Sequence, residues 1–358
     1  MKKKYRRSLS YSQPIVFAMI IILFILTALF FTYQCVKEKP SLPPPPNYDL
    51  SEQAPSSTEN AHNPRPKEPE EQLEPNHSTR KDSCYTFLVA ASDQSSGNAD
   101  VIMVATYDAI NQTVGLVSVP RDTLVDPSSV PSKFPKINST YYFGIDCLKE
   151  VVSNLLGIPI DYYFTLDVSG FVTLVDKIGG IDFDVPVHMS YDDPAQGLSI
   201  HFEPGMQHLN GEEALAVCRL RYNQDGTIAY PDYDIGRMRT QQALLKAVAA
   251  KALSKPQNFG DYINMFSEYC TTDMTIGNMI WLADYLIDIN IEDNVHTATL
   301  PGNGEAKYNG ISYCYELYKD QTLNLVNELL NPYLEDRTAD DLDIFSTQAS
   351  VKTSNGQQ

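Results

Sequence analysis

Residues Pro14 to Tyr33 run for 20 positions without a charged side chain. As a helix, such a run spans about 30 Å, the thickness of a bilayer's hydrocarbon core. It follows Lys2, Lys3, Lys4, Arg6 and Arg7, with no acid in the first 13 residues. Basic residues stay on the cytoplasmic side. The run is therefore expected to anchor the chain, with the N-terminus inside and everything beyond Cys35 outside. A cleaved signal peptide is the competing reading. Its apolar core would be shorter and would end in small residues, whereas this run ends Leu29-Phe30-Phe31-Thr32-Tyr33. Cys35 does not suggest a lipoprotein, because Thr32-Tyr33-Gln34 before it is too bulky for the usual processing site.

Past the anchor the composition changes. Residues 36–82 hold ten of the 23 prolines, including Pro43 to Pro46, and almost no large apolar side chain. This predicts an extended, solvated stalk. The polar, acidic end of the chain predicts a loose tail. The expected organisation is a cytoplasmic tail at 1–13, a transmembrane helix at 14–35, a stalk at 36–82, a folded domain at 83–333 and a tail at 334–358.

Within the domain, β-branched apolar runs predict strands at Tyr85–Ala91, Val101–Tyr107, Thr113–Ser118, Tyr162–Leu166, Ile181–Val185 and His296–Leu300. Helical spacing predicts helices at Ile145–Leu156, Gly170–Ile178, Gly211–Cys218, Arg237–Leu253, Gly277–Ile289 and Tyr315–Leu330. Their alternation predicts one α/β domain, α-β-α layered around a mixed central sheet. No internal repeat is present.

Charge and motifs exclude several classes. The chain has 27 Lys and Arg against 45 Asp and Glu, a net charge of −18. A surface this acidic is a poor match for a phosphate backbone, so no nucleic acid is expected as a partner. There is no C-x-x-C pair among the six cysteines, and no H-E-x-x-H, G-x-S-x-G or G-x-x-x-x-G-K-[ST]. A zinc ribbon, a zinc protease, an α/β-hydrolase and a P-loop enzyme are disfavoured. The cysteines beyond the anchor, Cys84, Cys147, Cys218, Cys270 and Cys314, are odd in number. Cys218 is expected to be a buried free thiol. Cys270 and Cys314 are the candidate disulfide, with reduced thiols as the alternative.

The domain holds 31 acids and 14 bases, of which only five are Arg: Arg121, Arg219, Arg221, Arg237 and Arg239. They fall in three short segments. Arg suits a planar, two-pronged grip on phosphate, although pairing with the surplus acids would use the same side chains. Arg121 follows a strand, where sites of open α/β sheets often lie. Gly236 offers a tight turn that would present Arg237 at a helix start, with Gln241 one turn further along the same face. Asp122 reads equally as a turn or cap residue and as a site residue. Asp93 and Asp100 flank a short polar loop between two strands. They read either as a holder for a hard cation such as Mg²⁺ beside phosphates or as an acidic surface loop.

The segments Val117-Ser118-Val119-Pro120-Arg121-Asp122, Lys136-Ile137-Asn138 and Leu155-Leu156-Gly157-Ile158-Pro159-Ile160-Asp161-Tyr162-Tyr163 come in that order. They are followed by Gly179-Gly180-Ile181, Leu209-Asn210-Gly211, Arg219-Leu220-Arg221, Asp234-Ile235-Gly236-Arg237 and Gln241-Gln242. This series, from about Tyr85 to Leu253, resembles the LytR–CpsA–Psr family of cell-wall enzymes, and the single anchor suits it. The resemblance implies an Mg²⁺-dependent extracytoplasmic phosphotransferase. Such an enzyme moves a glycopolymer from a polyprenyl-pyrophosphate carrier at the membrane onto peptidoglycan and releases polyprenyl phosphate. Attack by water instead would give a pyrophosphatase side activity. By the same resemblance, Asp93 and Asp100 would hold the metal. Arg121, Arg219, Arg221 and Arg237 would grip the pyrophosphate, with Asp122, Lys136, Asp234 and Gln241 in the same site.

The first loop departs from the family pattern. Where the family carries Gly-x-Asp-x-Arg and Arg-Ser-Asp, this chain has Ala91-Ser92-Asp93-Gln94-Ser95 and Asn98-Ala99-Asp100. Both aspartates stand and two arginines are gone. The rival expectation is a weakened enzyme that binds polyprenyl phosphate or wall polymer without turning it over.

Overall fold

The computed structural model describes residues 36–42, 78–92, 97–128, 130, 135–194, 198–220, 222–232, 234–254, 261 and 268–347. The expected anchor at 14–35, and the site candidates Asp93 and Arg221, lie outside the described residues. Among those described, no helix is long and apolar enough to cross a membrane.

Strand β1 (Cys84–Ser92) alternates apolar side chains to two faces, which is what a strand buried on both sides requires. Leu88 and Ala90 join one core with Ile102, Val104, Leu148, Val152 and Leu330. Tyr85 and Phe87 join another with Tyr107, Trp281 and Leu282. β1 pairs antiparallel with β2 (Val101–Asp108), and β2 pairs antiparallel with β3 (Thr113–Ser118). Helix α1 (Ile145–Leu156) follows a 3₁₀ segment at Ile137–Phe143 and leads to β4 (Tyr162–Asp167), parallel to β1. The central sheet is mixed.

Helix α2 (Val168–Lys177) opens a second lobe. It contains two antiparallel strand pairs, β5 (Ile181–Val185) with β8 (Gly205–Leu209) and β6 (Met189–Asp193) with β7 (Leu198–Phe202). Helices α3 (Gly211–Arg219) and α4 (Asp234–Leu253) follow. The lobe has its own core, built from Ile181, Phe183, Val185, Ile200, Val217 and Leu244. Edge strand β9 (Cys270–Thr272), helix α5 (Ile276–Leu286) and the short α6 (Ile291–Asn294) lead to β10 (Val295–Thr299), parallel to β3. The order across the six-stranded sheet is β10-β3-β2-β1-β4-β9.

The C-terminal part corrects one expectation. Residues Tyr315 to Leu317 are the end of β12 (Ile311–Leu317), hairpinned to β11 (Gly302–Tyr308), and are not helical. Asn309 and Gly310 both take positive φ, 48° and 82°, as a two-residue hairpin turn demands. Helix α7 (Lys319–Leu325) then continues into a π turn, Val326–Leu330. That turn presses on β3. A Cβ at Gly115 would stand 2.0 Å from the Leu329 carbonyl oxygen. Gly115→Ala is therefore expected to cost at least about 2 kcal/mol, since backbone must move to relieve the overlap. Chemical denaturation would measure it, and an unchanged midpoint would remove this account of the glycine.

Both expected domain ends lie inside ordered structure. Residues 334–347 pack on the domain: Leu342 is buried, Arg337 N donates to Asn327 Oδ1 (2.7 Å) and Asp343 N donates to Asn154 O (2.9 Å). The start of the expected stalk is also docked. Glu38 N donates to Gly277 O (3.2 Å), and Tyr85 and Tyr162 donate their hydroxyls to Pro40 O (3.2 Å) and Ser41 O (2.5 Å). Lys37 pairs with Asp284.

Candidate active site

Two strand ends build the site. Met103 of β2 is registered with Ser118 of β3. Extending that antiparallel register by three residues sets Asp100, just before β2, opposite Arg121, just after β3. Their side chains meet there, with Arg121 Nη1 2.6 Å from Asp100 Oδ1. Helix α4 supplies the facing wall. Gln242 fixes it, donating from Nε2 to Ser118 Oγ (2.8 Å) and Ala298 O (2.6 Å) at the ends of β3 and β10. Neighbouring Gln241 lines the cleft and donates to Cys218 O (3.0 Å).

Arg237 sits in the first turn of α4. Its Nε and Nη2 both bind Asp234 Oδ1, at 2.8 and 2.6 Å, and its side chain is only 9% exposed. Gly236 works differently from the expected turn. It lies inside the helix, where a Cβ would stand 2.5 Å from Asp232 Oδ1 and 2.6 Å from Tyr230 Cβ. The lack of a side chain lets the preceding loop close over the helix start and hold Arg237.

Asp100, Arg121, Asp234, Arg237 and Gln241 thus line one narrow cleft. Asp122 and Lys136 line a neighbouring concavity and pair with each other at 2.9 Å. Asp122 joins the two spaces, its Oδ2 lying 3.7 Å from Arg121 Nε. Arg219 is half-buried at the end of α3, next to the Cys218 carbonyl that holds Gln241. Sequence reading passed over Gln242. The Gln-Gln pair was visible, but which of its members anchors the helix follows only from the packing of α4.

The side chains of the cleft are of the kind that could hold an anion beside a hard cation. Arg121 Nε is buried without a hydrogen-bond partner, an arrangement that costs energy until an acceptor arrives. The two guanidinia are balanced here by Asp100 and Asp234. An incoming phosphate would compete for the arginines and free carboxylate oxygen for a metal. Among the described residues no cluster of three or more His, Cys, Asp or Glu could hold a metal ion. Mg²⁺ needs no such cage, since it is commonly held by one or two carboxylates and the substrate's phosphates. Asp100 fits that part.

All five cysteines beyond the anchor are free thiols. Cys270 lies in edge strand β9, and Cys314 lies in the hairpin that follows the opposite edge strand, so the expected Cys270–Cys314 bridge does not form. Burial pushes the Cys218 and Cys270 thiols up to about 12 and Cys84 up to about 11. These three should react with a disulfide reagent at mildly alkaline pH on the order of a hundredfold more slowly in the native protein than in denaturant, because the thiolate is the reactive form. Fast native labelling at any of them, located by peptide mapping, would contradict this burial.

The fold and the cleft define a mixed α/β domain with an arginine- and carboxylate-lined site where β2 begins and β3 ends. The chain belongs to the LytR_cpsA_psr family, whose model matches residues 48–331. It is 31% identical over 243 residues to the polyisoprenyl-teichoic acid–peptidoglycan teichoic acid transferase TagU of Bacillus anthracis, covering 66% of this chain and 75% of that one. It is 39% identical over 161 residues to the transferase TagV of Bacillus subtilis, covering 44% of this chain and 40% of that one. The crystal structure of B. subtilis TagV matches with a TM-score of 0.59 at 27% identity, over 74% of this chain and 100% of that one.

Proposed function

We propose that the protein is a membrane-anchored extracytoplasmic phosphotransferase. It would attach a polyprenyl-pyrophosphate-linked glycopolymer to peptidoglycan and release polyprenyl phosphate. The observation that carries this reading is the convergence of Arg121 and Arg237 on one cleft with Asp100 and Asp234, in a chain whose relatives are named as transferases of that kind. The uncharged run at 14–33 after a basic N-terminus supports the single-pass topology.

In this reading the acceptor hydroxyl attacks the sugar-linked phosphorus and loses its proton to solvent, the new P–O bond forms, and the bond to the bridging oxygen breaks with polyprenyl phosphate as leaving group. Arg121 and Arg237 hold the non-bridging oxygens and stabilise the charge that builds on the leaving phosphate. Arg219 adds charge from the end of α3, and Gln241 offers a neutral amide beside them. Asp234 orients Arg237 through the two-pronged contact. Bound Mg²⁺, held by Asp100 and Asp93, would neutralise charge on the pyrophosphate.

The test is Mg²⁺-dependent, acceptor-dependent release of polyprenyl phosphate from a pyrophosphate-linked donor. Tight donor binding without release would favour the rival reading as a carrier-lipid binder. Asp93→Asn combined with Asp100→Asn is expected to abolish the stimulation by Mg²⁺, because the amide keeps the shape and removes the charge that the cation needs. A metal titration of activity that matches the parent would exclude these two aspartates as ligands.

A further inference from the structure

Beside the arginine cleft lies a concavity of about 440 Å³, walled by Asn98, Asp122, Asn138, Ser139, Tyr142 and Phe143. We propose that it is the acceptor subsite, holding a glycan strand of N-acetylated amino sugars whose pyranose rings stack on Tyr142 and Phe143. The proposal rests on the transferase reading and adds where the second substrate sits.

The two aromatic residues end the 3₁₀ segment and face solvent: Tyr142 is 73% and Phe143 44% exposed. Exposing adjacent large aromatics does nothing for folding, and paired exposed rings more often mark a contact surface. Their centroids are 5.4 Å apart at 83°, so the rings present two different faces. Tyr142 is held in place from below, because its ring fits over Gly97, where a Cβ would stand 3.1 Å from Cδ2. Such faces suit the apolar C–H faces of a sugar ring, while amide and carboxyl groups around them suit its hydroxyl and acetamido groups.

The charge of the concavity argues against a phosphate ligand. Lys136 is already committed, donating to Asp122 Oδ1 (2.9 Å) and to Tyr313 O (2.8 Å). With Asp122 paired to it, the rest of the wall is neutral. The position also fits an acceptor. Asp122 lines the concavity, is next in sequence to Arg121 and reaches to 3.7 Å from its Nε, and Asn138 N donates to Arg121 O (3.1 Å). A hydroxyl of a sugar bound here would lie next to a phosphorus held by Arg121.

The experiment compares the parent with Tyr142→Ala/Phe143→Ala, using a soluble β-1,4-linked N-acetylglucosamine oligomer as probe. Binding is followed by calorimetry or NMR shifts, and transfer by its acceptor KM. Both side chains are exposed, so the melting temperature should hold, and a Phe143→Tyr variant should keep its affinity. The expected result is oligomer binding by the parent that weakens roughly tenfold or more in the double variant, the scale of losing stacked aromatic contact, with a matching rise in acceptor KM. Equal binding by parent and variant, or no binding by the parent, overturns the subsite. If the parent binds the oligomer through these residues but never releases polyprenyl phosphate, the transferase reading fails and the glycan site stands.

Discussion

Arg237→Ala is expected to lower transfer by two orders of magnitude or more, the loss typical of removing one preorganised donor to developing charge. The side chain is nearly buried and lines the cleft, and its Nε and Nη2 both bind a single acceptor, Asp234 Oδ1. One guanidinium edge is thereby fixed on Asp234 while the residue lines the cleft. Stability should fall much less, by about 1–2 kcal/mol, because the Asp234 side chain is 36% exposed and water can replace the lost partner. Arg237→Lys keeps the charge but not the fork, so it should fall between parent and Ala. If the arginine were only Asp234's structural partner, Asp234→Ala would match Arg237→Ala in both melting temperature and turnover. Turnover by Arg237→Ala within a few-fold of the parent would remove it from the phosphate grip.

The elements with a strong local signal were legible in the sequence. Thr113–Ser118, Ile181–Val185 and Ile145–Leu156 form with the expected bounds. Ile181–Val185 alternates with period two, Ile145–Leu156 keeps the 3.6 spacing of a helix, and Thr113–Ser118 is a short run rich in β-branched and apolar residues. The strands that escaped notice carry less of it. β6 is short and polar, β7 alternates but spans only five residues, and β11, Gly-Asn-Gly-Glu-Ala-Lys-Tyr, reads as a loop. They are strands because a neighbour pairs with them, a tertiary effect that overrides local preference. Tyr315–Leu317 failed in the other direction, since a short apolar run satisfies both periods.

The site divides along the same line. Residue chemistry pointed to Asp100, Arg121, Arg237 and Gln241, the family resemblance added Asp234, and all five line one cleft. That Asp100 faces Arg121 depends on the register of β2 against β3, which no residue type encodes locally. Lys136 and Asp122 were expected in that same cleft but border the adjoining concavity, because the segment carrying Lys136 bridges to Leu124 past the end of β3.

Asp161→Ala is expected to be the most damaging single change to stability, at about 3–5 kcal/mol, the cost of breaking a buried charge pair from one side. Its side chain is 1% exposed, and Oδ2 accepts from Arg80 Nη2 at 2.6 Å and Thr86 N at 2.8 Å, while the Thr86 hydroxyl, 3.0 Å away, has its shorter bond to Pro159 O at 2.6 Å. The backbone replies, with Asp161 N donating to Thr86 Oγ1 at 3.0 Å. One carboxylate therefore ties the start of β4 to β1 and to the segment entering the domain. Arg80 in turn bridges to Tyr333, just past the π turn, and lies 5.6 Å from its ring centre. Loss of the carboxylate strands a guanidinium that is 20% exposed and leaves the Thr86 amide buried without its acceptor. A fall in melting temperature of roughly 10 °C follows for a domain of this size. Arg80→Ala alone should cost less than Asp161→Ala, because the Thr86 amide keeps its acceptor. The double variant should be no worse than Asp161→Ala if the pair acts as one unit. Additive losses in that cycle would mean that Arg80 stabilises the domain through Tyr333 and not through Asp161.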